Sequence, residues 1–173
     1  MTPQEIQAFI KDVPDFPKPG IIFKDITPLL AEPRAFRATV DTLAERLQGS
    51  DADGILAIES RGFIFGGALA ARLGLPLQLV RKRGKLPREA ISVRYELEYG
   101  FDHLEIHADA IEPRRRYLIV DDVIATGGTA AAVAELVQQS KAAVAACAFV
   151  IELTFLDGRR KLEGHSVVSL ISY

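Results

Sequence analysis

Val120-Asp-Asp-Val-Ile-Ala-Thr-Gly-Gly-Thr129 is the stretch on which the fold turns. It grows out of Tyr117-Leu-Ile-Val120, a short unbroken apolar run of the kind buried on both faces of a parallel sheet. A helix is expected to follow, from about Thr129 to Gln139. In such sheets ligands bind beyond the carboxyl ends of the strands. Gly127 and Gly128 let the backbone curl so that successive N–H groups point inward as an anion nest. The helix N-terminus adds its positive end, and Thr126 and Thr129 offer hydroxyls. A phosphate monoester suits this cradle. Asp121 and Asp122, just upstream, suit vicinal ribose hydroxyls, which donate to carboxylates. The combined reading is a pocket for a ribose 5-phosphate. The same residues also fit a plain tight strand-to-helix connection, and two adjacent acids also fit a metal pair. No Lys-Ser/Thr follows the glycines, so this is not a P-loop, nor is it the G-x-G-x-x-G dinucleotide fingerprint.

Outward from this unit, strands and helices alternate. Gly54-Ile-Leu-Ala-Ile58, Leu77 to Val80, Ala145 to Ile151 and Val167 to Ile171 read as further buried strands. Pro33 opens a helix with Phe36, Val40, Leu43 and Leu47 on one face, and Phe63 to Leu73 is a second helix rich in small residues. Alternation of this kind predicts an α/β fold with a parallel sheet core flanked by helices. Near the start, Thr2, Pro3 and Glu5 form a capping box for a short helix, with Ile6, Phe9 and Ile10 on one face. Pro14, Pro17 and Pro19 then bar helix, and Ile21-Ile22-Phe23 reads as a short strand. Ile91, Val93, Tyr95, Leu97 and Tyr99 alternate, as do Leu104, Ile106 and Ala108, around a turn at Gly100-Phe-Asp102. This predicts an antiparallel hairpin standing apart from the parallel core. Arg81-Lys-Arg-Gly-Lys85 reads as a basic loop; such runs are commonly solvated.

Length and composition set the outer limits. A chain of 173 residues is the size of one domain and can bury roughly 70% of the surface its unfolded form exposes. Lys and Arg number 21 against 23 Asp and Glu, a formal charge of −2, without the basic excess of proteins that live on nucleic-acid backbones. One cysteine, Cys147, allows neither an intrachain disulfide nor a thiolate metal cluster, as in a reducing cytosol. No apolar run reaches the ~18 residues of a membrane span, and the N-terminus lacks a signal-peptide pattern. A cytoplasmic protein with no nucleic-acid or membrane partner is expected. His103, His107 and His165 make no ligand pattern, and no metal-binding residue is assigned.

An apolar strand, two acids and Thr-Gly-Gly-Thr together resemble the phosphoribosyl-pyrophosphate (PRPP) motif of the type I phosphoribosyltransferases. Further blocks are similar to the adenine-specific branch of that family, in order and spacing. They are Phe16-Pro-Lys-Pro-Gly-Ile-Ile-Phe-Lys-Asp-Ile-Thr27, Glu59-Ser-Arg-Gly-Phe63, Arg81-Lys-Arg-Gly-Lys-Leu-Pro87, Leu97-Glu-Tyr-Gly100 and Glu152-Leu-Thr154. The resemblance implies a type I phosphoribosyltransferase fold over 1–173, with an N-terminal helix and hood in 1–32 and a mobile catalytic hairpin over about 86–107. The implied reaction transfers phosphoribosyl from PRPP to adenine, giving AMP and pyrophosphate. Mg²⁺ would be held mainly through PRPP or pyrophosphate, and the protein would be a cytoplasmic homodimer with Phe23 to Leu30 and the basic loop near the partner.

Site residues follow from the same resemblance. PRPP or AMP would be held by Asp121, Asp122, Ala125, Thr126, Gly127, Gly128 and Thr129, together with Glu59, Ser60, Arg81 and Lys85. Arg61, Glu98 and Tyr99 would be catalytic. Glu98 would face adenine N7 and Tyr99 would cover the site. A non-proline cis peptide is implied at Glu59-Ser60. Ile22 and Lys24 would read the base through their backbones, with Leu153 near its plane and Phe23 pointing into the core. Lys82 and Arg83 would serve a neighbouring subunit or solvent. Arg88 to Arg94 departs from the family pattern. On residues alone, Glu98 and Tyr99 also fit an outward charge beside a packing aromatic, and Arg61 fits a solvent-facing turn. Two other readings stand beside this one: a different purine base, against which the Ile22 and Glu98 blocks argue, and a PRPP-sensing regulator without catalysis, for which no basic arm is present.

Overall fold

The computed structural model describes residues 1–96 and 100–173. Leu97, Glu98 and Tyr99 lie outside the described residues, so the alternation through Leu97 and Tyr99 and the roles expected of Glu98 and Tyr99 fall there too. Helix α1 (Pro3–Gln7) carries the expected capping box: the Glu5 N–H donates to Thr2 Oγ1 and the Thr2 N–H to Glu5 Oε2. Strands β1 (Lys11–Pro14) and β2 (Ile22–Asp25) pair antiparallel as a separate ribbon. The short helix α2 (Thr27–Ala31) leads into α3 (Pro33–Arg46). Pro33 sits in the first turn of α3, and Glu32 caps it by accepting the Arg34 N–H.

The body follows as β3 (Gly54–Ile58), α4 (Gly62–Leu73), β4 (Leu77–Lys82), β5 (Ala90–Glu96), β6 (Phe101–His107), β7 (Arg116–Ile124), α5 (Gly128–Gln139), β8 (Ala143–Glu152) and β9 (Val167–Ser172). Two 3₁₀ turns, Thr154–Leu156 and Gly158–Leu162, join β8 to β9. Seven strands form one sheet in the order β5-β6-β4-β3-β7-β8-β9. The five strands from β4 to β9 along that order are parallel, and β6 joins β4 antiparallel. The hairpin therefore does not stand apart from the core, as the sequence suggested. It extends the sheet, because β4 runs on through Arg81 and Lys82, which pair with Glu105 and Leu104.

Successive side chains along a strand face opposite ways, and the central strands use both faces. Ile55, Leu118, Val120, Ala148 and Val150 pack with Leu43, Phe65 and Leu69 of α3 and α4. Leu56, Ile58, Ile119, Cys147 and Phe149 pack with Val133, Leu136 and Val137 of α5. Val93, Leu104 and Ile106 of the hairpin are buried in this second cluster, each worth about 1.5–3 kcal/mol on full burial. Cys147 is buried and its thiol is pushed up to about 12 by desolvation. Among the described residues no helix is long and apolar enough to cross a membrane.

Candidate active site

Strand β7 does not stop at Val120. It continues through Asp121 and Asp122 to Ile124, which places both acids inside the strand rather than in the loop after it. Asp122 falls on the α4 face and is 4% exposed. A bare carboxylate there would be costly; Arg61, the residue before α4, donates from Nε to Asp122 Oδ2 at 2.5 Å. The Asp121 carboxylate lies against the start of α4, where a Cβ on Gly62 would come within 2.8 Å of its Oδ1. Its Oδ1 accepts the Asp122 N–H at 2.9 Å. Burial, then the Asp122 charge beside it, push the Asp121 carboxyl well above the usual carboxylate range. A carboxylate under such pressure gains from any hydroxyl that donates to it.

Beyond Ile124 the chain forms the cradle. Gly127 has φ of +76° and precedes the first residue of α5, Gly128. A side chain at Gly127 would run into the backbone of Gly158, so both the conformation and the close approach require glycine. The first turn of α5 leaves its N–H groups directed out of the helix end. Thr126 is exposed and Thr129 half-buried.

The opposite wall comes from the ends of β3 and β4. The Glu59–Ser60 peptide is cis, as the family resemblance implied. Burial raises the Glu59 carboxyl, but the Lys82 N–H at 3.0 Å and the Arg81 guanidinium outweigh it and hold the group below its ordinary value. Arg81 is thereby committed: Nε and Nη2 lie 3.2 and 3.4 Å from Glu59, and Nη1 donates to the Lys85 carbonyl at 3.0 Å.

A cavity of about 610 Å³ lies between these walls. Glu59, Ser60, Arg61, Lys85, Asp121, Asp122 and Ala125 to Thr129 all line it. Arg81 is not among the lining residues. Lys82 is, in the place the sequence reading gave to Arg81, with Nζ 3.8 Å from Asp102. Tyr95 also lines it. Burial and the Asp102 charge raise its phenol. Sequence alternation puts Tyr95 on one face of the hairpin with Ile91 and Val93; nothing in the sequence shows that this face opens onto the cradle.

The residues expected to hold the base sit beside this cavity rather than in it. Ile22 is exposed. Lys24 pairs with Asp12 at 2.7 Å and its ammonium lies 3.6 Å from the Tyr173 ring centroid. The Leu153 N–H donates to the Ile124 carbonyl, which ties it to the end of β7. Phe23 does not point into the core: it is half-buried, edge-on to Phe16 at 5.2 Å and 5.1 Å from the Arg61 guanidinium. The reason is that β1–β2 is a separate two-stranded ribbon outside the main sheet, so Phe23 packs on Phe16 and Arg61 instead of in the core. The departing segment is accounted for: Arg88 pairs with Asp109 at 2.7 Å, and Arg94 lies 4.0 Å from the Phe101 ring.

Residues 27–168, which span everything from α2 into β9, match the phosphoribosyl transferase domain family. The adenine phosphoribosyltransferase of Rubrobacter xylanophilus is 56% identical over 173 residues, covering 99% of this chain and 94% of that one. A crystal structure of the Thermoanaerobacter pseudethanolicus adenine phosphoribosyltransferase superposes with a TM-score of 0.97 at 52% identity, covering 99% of this chain and all of that one. The Saccharomyces cerevisiae enzyme, solved with an imino-altritol bisphosphate and adenine, gives 0.91 at 44% identity over 97% of each chain. The strand–cradle–helix unit lies within the matched family and the likeness runs through hood and hairpin alike, so this chain belongs to the adenine phosphoribosyltransferases.

Proposed function

We propose that this protein transfers the 5-phosphoribosyl group of PRPP to adenine, yielding AMP and pyrophosphate. One observation carries the reading: a single cavity joins a two-carboxylate strand end, a glycine nest at a helix N-terminus and a cationic wall of Arg61, Lys82 and Lys85. Those three parts match ribose hydroxyls, 5′-phosphate and pyrophosphate.

In the reaction the bond from C1 to pyrophosphate breaks, and adenine N9 bonds to C1 through an oxocarbenium-like state. Lys85, Lys82 and the Ser60 and Arg61 backbone stabilise the leaving pyrophosphate. Arg61 also fixes Asp122 in the orientation that accepts a ribose hydroxyl, while Asp121 takes the second. Ala125 to Thr129 hold the 5′-phosphate far from the bond change, so that binding energy there positions C1. Adenine reacts as its N7–H tautomer: N9 gives its electron pair to C1, the N7 proton passes to Glu98 and from there to solvent, and Tyr99 excludes water from C1. Ile22, Lys24 and Leu153 hold the base. Mg²⁺ prefers phosphate oxygens and water to protein carboxylates. Asp122 and Glu59 are already committed to Arg61 and Arg81, which suits an ion that arrives on the pyrophosphate of the substrate.

On this reading residues 1–173 work as one unit, a hood over 1–32 and a hairpin over about 86–107 close on it, and the protein is a cytoplasmic homodimer. The test is to mix purified protein with PRPP, Mg²⁺ and each purine base in turn and follow nucleotide formation. AMP from adenine alone is expected, and chelation of Mg²⁺ should stop it. Binding of PRPP with no nucleotide formed from any base would make the protein a sensor instead. Light scattering of the eluting protein gives the oligomeric state.

A further inference from the structure

Two carboxylate residues are buried among the described residues, Asp122 and Glu152. The reaction uses the first and has no task for the second. Glu152 ends β8, and its side chain is 8% exposed. It receives a two-pronged pair from Arg159: Nε to Oε1 at 2.5 Å and Nη2 to Oε2 at 2.7 Å. Nη1 reaches the Val167 carbonyl at 3.0 Å, and Nη2 also lies 3.3 Å from Ser169 Oγ on β9. The guanidinium is thus locked in a fixed plane against β8 and β9.

The residue before Arg159 is Gly158, and Gly158 is the backbone that touches the cradle. A Cβ on Gly158 would strike the Ala125 carbonyl and come to 3.0 Å from the Gly127 nitrogen. A Cβ on Gly127 would strike the Gly158 carbonyl. The two strands of backbone are in contact with no side chain between them. Asp157, just upstream, holds a left-handed φ of +50°, which a non-glycine residue keeps only where its surroundings fix it. We propose that the Glu152–Arg159 pair is a positioning device for the phosphate cradle. It clamps Gly158 in place, and Gly158 in turn sets the curl of Ala125 to Gly127 from behind. Glu152 and Arg159 touch no substrate; they act through the backbone.

This inference rests on the reading of the cradle as a 5′-phosphate site, and one experiment separates the two. Dissociation constants for AMP and for adenosine are measured by calorimetry on the whole protein. Wild type should bind AMP far more tightly than adenosine. Equal affinities would refute the phosphate site itself, whatever the clamp does. Given that preference, Arg159→Gln should weaken AMP by about 10-fold or more, the scale of a lost charge-assisted hydrogen bond, and leave adenosine within about twofold. Arg159→Lys keeps the charge without the fork and should recover only part. Gly158→Ala, which attacks the contact directly, should show the same AMP-specific loss. A purely structural pair would lower melting temperature and both affinities together. That result, or an AMP-to-adenosine ratio equal to wild type, overturns the proposal. Should Arg159→Gln not fold, the isosteric Glu152→Gln carries the test under the same criterion.

Discussion

Asp121 and Asp122 show how one residue of displacement along a strand changes a carboxylate's task. Asp122 is matched by Arg61 at 2.5 Å, which holds it as a fixed acceptor. In the proposed reaction Asp122→Asn replaces a charge-assisted bond, worth roughly 1.5–3 kcal/mol. kcat/KM should fall about 10- to 150-fold; unchanged KM for PRPP with unchanged kcat would remove Asp122 from the ribose. Asp121 makes no ion pair of its own among the described residues, and burial plus the Asp122 charge raise its carboxyl against the weaker pull of Arg61. A raised carboxylic acid binds its proton more tightly folded than unfolded. Folding therefore loses stability as pH climbs through the ordinary Asp value of 3.8, and the loss is complete above the raised one. Asp121→Asn should then raise the melting temperature at neutral pH, with the gain shrinking as pH falls toward 4, while kcat/KM drops. A variant less stable than wild type at pH 7 would show that Asp121 is not strained. Stability given up at a binding site is a common trade.

At the scale of elements, the hairpin strands pack into the core, and the proposed function gives the segment between them a chemical task. Leu104 is 1% exposed and packs beside Val93, Ile106 and Val80. Leu104→Ala should cost about 2–5 kcal/mol by urea denaturation. In the proposed function, Glu98→Leu should leave that denaturation curve in place and lower kcat by ~10²–10⁴-fold, the range of general acid–base effects. Early melting of Glu98→Leu would assign it to packing instead. Period-two alternation made β5 and β6 legible, and buried apolar runs made β3 and β8 legible. Where charge interrupts a strand, the pattern hides it. β4 runs through Arg81 and Lys82 because Glu59 partners one side chain and backbone of that segment. β7 runs through two acids because Arg61 partners one of them. β1 is exposed at all four positions, so it has no period to read, and α2 is too short for one. Gly158 meets Gly127 only through the tertiary fold; no local signal could have pointed to it.

Across the whole molecule, the β1–β2 ribbon is fastened to the body by Phe23 and Lys24. Phe23 lies under the Arg61 guanidinium, and the Lys24 ammonium lies over the Tyr173 ring next to β9. The side chain of Lys24 is therefore a fastener, 11% exposed, while its backbone, in the proposed function, is the reader of adenine. Adenine offers an acceptor at N1 and a donor at its 6-amino group, to be met by the Lys24 N–H and the Ile22 carbonyl. Hypoxanthine offers the reverse. Each buried group left unpaired costs ~1–3 kcal/mol. Two mismatches should favour adenine by about 30- to 10⁴-fold in kcat/KM. Lys24→Ala separates fastener from reader. The lost cation–π contact, about 0.5–1 kcal/mol, should raise the KM for adenine roughly 2- to 5-fold. The preference over hypoxanthine should persist, because the N–H remains. Kinetics with both bases on wild type and Lys24→Ala decide the matter. A preference that collapses in Lys24→Ala would move the reading to the side chain, and comparable use of both bases by wild type would end the claim of adenine specificity.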